Sequence, residues 1–264
     1  MPVRFTPIAN KDKWAGTAWV IECEDTLADL VARVALGQSR HVARILKETG
    51  CDDIIPHETA FAGARRKLRV EAGKKPYHRD GWLFQVISWI AAHRQSPDDL
   101  IRAPQMIHAD KGFDGIHVRF VHAQSHVATV IICEEKATTK PRGKITSQVW
   151  PEFESLEAGE RDNELVAVVS ELLAVNGLAD EADRIVADIL WQDARSYRVS
   201  VTGTEEHCST DGLKKLFKGY EEKVSGDLAR RRAEVLQLHD IRGWLNGLAD
   251  MALAKLDAME TADV

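Results

Sequence analysis

A chain of 264 residues with 44% hydrophobic and 29% charged residues has the composition of a folded globular protein, long enough to bury a substantial core. The formal net charge of -6 excludes a protein that coats nucleic acid through its overall field, although one basic cleft is still compatible with it. No apolar run reaches the roughly 18 residues of a membrane span, and Met1-Pro2-Val3-Arg4 leads into no signal-peptide core, so a cytoplasmic protein without membrane contact is expected.

Residues 1–23, with the apolar run Trp19-Val20-Ile21, predict an N-terminal strand. Asp25 or Thr26 then caps a helix that carries Leu27, Leu30, Val31 and Val34 on one face and ends near Gly37. A second helix runs from Ser39 to Gly50, and a third from His57 to Val70. Glu58 in the third is a candidate accessory metal ligand, or an acid placed to suit the helix N-terminus. Basic residues cluster next, with Arg65, Arg66, Lys67, Arg69, Lys74, Lys75, His78 and Arg79 inside a short stretch that would contact phosphates or form a solvated face.

Gly73-Lys74-Lys75-Pro76 breaks the chain, and Asp80 reads as the cap of a helix over residues 81–94. Leu83, Val86, Ile87, Ile90 and Ala91 follow the helical period, and Gln85 is its polar exception. After a polar connection, residues 105–108 read as a short extended segment.

Period-2 alternation over residues 115–121 and 127–136 predicts a β-hairpin. In its second strand Val130, Ile132, Glu134 and Lys136 share one face, while Ile131, Cys133 and Glu135 take the other. Asp114 precedes Glu134 by 20 positions, and both lie where apolar strands leave the core. Asp114 and Glu134 suit Mg²⁺ or Mn²⁺, since such ions take oxygen ligands and need only one or two protein carboxylates beside water and substrate phosphate. Lys136 beside them would orient the attacking water and offset phosphate charge. Asp110 is the alternative acid, and a plain solvated strand end is the alternative reading of the whole group.

Lys140, Arg142 and Lys144 follow the strand as a second basic group, with Pro141-Arg142-Gly143 as a turn and a helix over residues 145–156. Helices are expected over Asp162 to Val175 and Ala179 to Leu190. Residues 197–202 alternate and read as a late strand, a candidate edge strand of the same sheet. A helix from Thr210 or Asp211 to Val224 and a strongly helical tail from Asp227 to Met259 complete the chain. Cys23, Cys51, Cys133 and Cys208 form no Cys-x-x-Cys pair, so reduced thiols are expected, with neither zinc nor disulfides. No glycine-rich phosphate loop supports an ATPase or a dinucleotide enzyme.

Asp114 with Glu134-Glu135-Lys136 resembles the PD-(D/E)xK nuclease superfamily, mainly across residues 79–150, although Gly112-Phe113-Asp114-Gly115 lacks the proline of that pattern. The resemblance implies an α/β, restriction-endonuclease-like mixed central sheet flanked by helices, with a core over about 57–205 and a helical C-terminal part over about 206–264. It implies Mg²⁺-dependent cleavage of DNA, with Asp114 and Glu134 on the metal, Lys136 catalytic and the Glu135 side chain off the site. Gln85 stands where relatives carry an acidic residue, and Gln148 where some carry a glutamine facing DNA. The order of elements is also similar to the nuclease-like subunit of the Hachiman anti-phage defence system, which implies a helicase partner. The competing expectation is a non-catalytic subunit that keeps the fold and docks a partner through its C-terminal part.

Overall fold

The N-terminal stretch folds back on itself as two antiparallel strands, β1 (Val3–Asn10) and β2 (Trp14–Ile21). Three helices follow, α1 (Glu24–Ala35), α2 (Ser39–Lys47) and α3 (Glu58–Leu68), and then the long α4 (Tyr77–Gln95). The predicted hairpin is present as β4 (Gly115–Val121) and β5 (His126–Lys136), with a two-residue β3 (Leu100–Ile101) beside β4. The computed structural model describes residues 2–48, 57–106, 112–121, 126–182, 186–187 and 194–262. His108, Asp110, Cys51, the hairpin connection and half of the segment expected as a helix up to Leu190 lie outside these.

A helical stretch after β5 comprises α5 (Pro141–Lys144), a π-helical turn at Ile145–Val149 and α6 (Trp150–Glu157). Pro141-Arg142-Gly143, expected as a turn, is therefore the start of a helix, because a proline at a first helical position loses no hydrogen bond. Pro151 lies at the second position of α6, directly after the π-helical turn. Then come α7 (Asp162–Val175), β6 (Arg195–Gly203), α8 (Thr210–Leu216), β7 (Arg231–Gln237) and α9 (Ile241–Ala262). The single helix expected up to Val224 breaks after α8, where Gly219 takes a φ of 87° that a residue with a side chain would resist.

All seven strands join one mixed sheet in the order β1-β2-β7-β6-β5-β4-β3. The run β2-β7-β6-β5 is parallel and central, and antiparallel pairs flank it on both sides. One face packs on α1, α2, α3, α4 and α9 around Trp19, Phe84 and Leu248; the other packs on α6 and α7 around Val130, Ile132, Tyr197, Phe153 and Val169.

Two expectations are overturned. Residues 197–202, expected near an edge, lie in β6, which is buried throughout and sits between β5 and β7. Its polar side, Arg198, Ser200 and Thr202, is covered, because Arg198 pairs with Glu234 of β7 and donates to the Ser88 carbonyl of α4. The expected helix from Asp227 is β7 over residues 231–237, and the C-terminal part is helical only from Ile241. Val235, Leu238, Ile241 and Leu245 are spaced as on a helix, but Ala233 and Val235 face one layer while Glu234 and Leu236 face the other. Asp240 stops the strand-to-helix turn by accepting the Gly243 N–H at 3.0 Å.

Candidate functional site

The register of β4 on β5 sets the site. Gly115 lies opposite Cys133, so Asp114, one residue before β4, reaches the end of β5. A side chain at 115 would put its Cβ 3.2 Å from that of Cys133, so glycine allows this close pairing. Phe113 is buried against the α6–α7 layer and stacks under the Arg161 guanidinium at 4.3 Å, which pins the segment that carries Asp114. Along β5, Glu134 and Lys136 emerge on the same side as Val130 and Ile132, as strand alternation requires.

The three expected residues meet. Lys136 Nζ donates to Asp114 Oδ2 and to Glu134 Oε2, both at 2.7 Å. The Glu135 backbone N–H donates to the same Asp114 oxygen at 2.9 Å, and Gln85 Nε2 from α4 donates to Asp114 Oδ1 at 2.8 Å. Both Asp114 oxygens are thus fixed, and Gln85 is brought to the site. The Glu135 side chain points to the opposite face, buried toward Arg198.

Burial raises the pKa of Glu134, which the adjacent Lys136 ammonium opposes and the Asp114 carboxylate reinforces. Burial works to lower the pKa of Lys136, but Glu134 and Asp114 outweigh it and hold the amine charged, well above its ordinary value. Burial pushes the Glu135 carboxyl up to about 8 despite the nearby Arg198 guanidinium.

Beside this group opens a cleft of about 830 Å³. Lys136, Lys140, Lys144, Gln148, Tyr77 and Arg242 are on its wall. Arg242 and Tyr77 were not anticipated. Arg242 comes from the first turn of α9, more than 100 positions from Lys136 in the chain, and is held by Asp80 and the Ala137 carbonyl. Asp80, expected as a helix cap, is instead buried inside the first turn of α4, whose N-terminus is at Tyr77, and pairs with Arg79 and Arg242.

The remaining candidates divide. Arg66, Lys74 and Lys75 are exposed and line a second pocket of about 330 Å³ with Arg69 and His78. Arg65 is held by Asp257 and Glu260 at 2.7 and 2.5 Å, and Arg142 donates to the carbonyls of Leu216 and Lys218. Glu58 is exposed in the first turn of α3 and makes no hydrogen bond to Asp114, Glu134 or Lys136.

A hard divalent cation fits the donors present. One oxygen of each carboxylate lies 2.7 Å from the Lys136 nitrogen, so both acids converge on a single point. Among the described residues no group of three or more His, Cys, Asp or Glu side chains could hold a metal. Two carboxylates suffice for Mg²⁺, which keeps several waters, but not for a closed zinc or calcium cage. Comparison with protein-family models, with curated proteins and with solved structures returned no match.

Proposed function

We propose that the chain is a metal-dependent nuclease of the PD-(D/E)xK type that hydrolyses DNA phosphodiester bonds. One observation supports this reading above the rest: Asp114, Glu134 and Lys136 converge at a strand end, with both carboxylates on the lysine nitrogen, at the edge of a basic cleft. In this reading Asp114 and Glu134 hold Mg²⁺ or Mn²⁺, which supplies Lewis-acid polarisation of the phosphate and a more acidic bound water. Lys136 exchanges a carboxylate partner for a phosphate oxygen and offsets the charge that builds there. Gln85 and the Glu135 N–H keep Asp114 from rotating when its lysine partner turns to substrate. Lys140 and Lys144 draw the phosphate backbone into the cleft.

The test is nicking of supercoiled plasmid with Mg²⁺ or Mn²⁺ by the full chain, beside Glu134→Gln and Lys136→Ala. Metal-dependent nicking that both variants lose supports the reading. Nicking that survives in both overturns the site.

The resemblance to the Hachiman nuclease-like subunit extends the proposal to an anti-phage effector governed by a helicase. It has less to rest on, because β7 interrupts the helical C-terminal part that contributed to it. If the chain nicks nothing alone, nicking after addition of the helicase partner, DNA and ATP supports that control. Continued inactivity in that mixture favours a non-catalytic docking subunit.

A further inference from the structure

Tyr77 is 57% exposed although it is a large aromatic, and it opens α4 beside the candidate site. It lines both the cleft at Lys136 and the second basic pocket, so the two cavities adjoin at this residue. Arg242 lies 5.2 Å and Lys75 5.7 Å from the ring centroid. Both cations are drawn to the ring face, and Arg242 is also held by Asp80.

Arg79, Arg242 and Lys136 on these walls are paired with acids, but the other cations are not. Among the described residues no carboxylate pairs with Arg66, Arg69, Lys74 or Lys75 in one cavity, or with Lys140 or Lys144 in the other. Glu71 is the one acid on the wall of the second pocket, and Glu135 the one on the wall of the cleft. This contrasts with Arg65, one residue from Arg66, which two acids neutralise. An aromatic platform between two positive surfaces is the arrangement that binds an unpaired strand: bases stack on the ring while phosphates follow the cations. A duplex already stacks its bases internally and would use the cations alone.

We propose that Tyr77 is a base-stacking platform on a track for single-stranded DNA, running from the Lys136 cleft over the ring into the pocket at Arg69 and Lys74. The inference rests on the nuclease reading for its substrate class, and its test is separate from cleavage.

Binding is measured by fluorescence anisotropy of a fluorescein-labelled 20-nucleotide single strand and of the matching duplex, in EDTA so that no metal-dependent cutting occurs. The full chain is expected to bind the single strand more tightly than the duplex. Tyr77→Ala should weaken single-strand binding about 5-fold or more while leaving the duplex unchanged, as loss of one stacked base predicts. Tyr77→Trp should restore it. The double variant Lys74→Glu, Lys75→Glu should weaken both ligands. Circular dichroism melting confirms that each variant is folded, which an exposed site favours. Equal affinity for both ligands, or a Tyr77→Ala protein that binds the single strand like wild type, overturns the track. Loss of the track with Glu134-dependent nicking intact leaves the nuclease reading standing. Stacking at Tyr77 without such nicking keeps the track and leaves the nuclease reading to the assay with the helicase partner, DNA and ATP.

Discussion

Two groups of opposite charges lie on neighbouring strands of the same sheet, and they behave as different objects. Arg198 and Glu234, on β6 and β7, are 1% and 0% exposed; the arginine lies over Trp19 at 5.3 Å and donates to an α4 carbonyl, and the glutamate also accepts from Arg232 and Gln95 at 3.1 and 3.3 Å. Asp114, Glu134 and Lys136 carry similar chemistry at the end of β5, where the strand opens on a cleft. The enclosed pair has nothing to exchange with. The group at the strand end can trade one of its own contacts for a ligand, and α4 spans both, with Gln85 at the open site and Ser88 over the closed one. Charge density alone therefore does not mark a site; access of a second partner does.

Breaking the closed pair should have the largest effect on stability. Arg198→Met leaves Glu234 buried with weaker compensation, and about 3–5 kcal/mol of stability should be lost in urea unfolding. The double variant with Glu234→Leu should recover much of that loss. Lys136→Met inverts the pattern: nicking should fall by about 100-fold or more, a loss near 2.7 kcal/mol in transition-state stabilisation, with a smaller change in melting temperature. If Lys136→Met unfolds the protein as Arg198→Met does, the distinction between the groups fails.

A third prediction concerns the C-terminal end of α4, away from Gln85. Burial, with help from Lys47, lowers the His93 pKa to about 4, and the ring sits edge-on to Trp89 at 4.5 Å. Above pH about 6.5 both folded and unfolded chains hold this histidine neutral. Below it the unfolded chain takes up a proton that the folded chain refuses, so stability is lost as pH falls toward about 4. With the ring partly exposed the effect should be about 1–2 kcal/mol. The difference between wild-type and His93→Gln stability curves should change across that window; a flat difference would refute the assignment.

The smallest effects separate the basic residues. Lys140→Ala should weaken DNA binding and reduce the salt slope by about 1, with stability unchanged. Arg65→Ala should do the reverse, lowering stability by up to about 1 kcal/mol through its ion pairs and leaving the slope alone.

The convergence at the site was legible because it depends on local rules. Alternation puts Glu134 with Lys136, antiparallel pairing brings Asp114 across from them, and Gln85 stood out as a polar residue on an apolar helix. Arg242 was not legible, since nothing near it in the chain reports that α9 returns to the end of β5. Nor was β7, whose apolar spacing imitates a helix and whose Arg232 and Glu234 look solvent-facing until β6 is known to lie beside them. β6 was misplaced for the same reason: a buried arginine makes a central strand read as a half-exposed one. In each case the missing term is a partner distant in sequence.

The position of β7 also bears on how the molecule is made. It lies between β2 and β6, so the N-terminal hairpin joins the sheet only through a strand synthesised more than 200 residues later; Thr17 Oγ1 and Glu234 Oε1, 217 positions apart, are 3.5 Å from each other. A nascent chain halted before residue 231 has a hairpin with no neighbouring strand to pair with and two bare strand edges, a state suited to chaperone capture and prone to aggregation. Limited proteolysis of stalled chains should find β1 and β2 cut readily before β7 has emerged from the ribosome and protected afterwards.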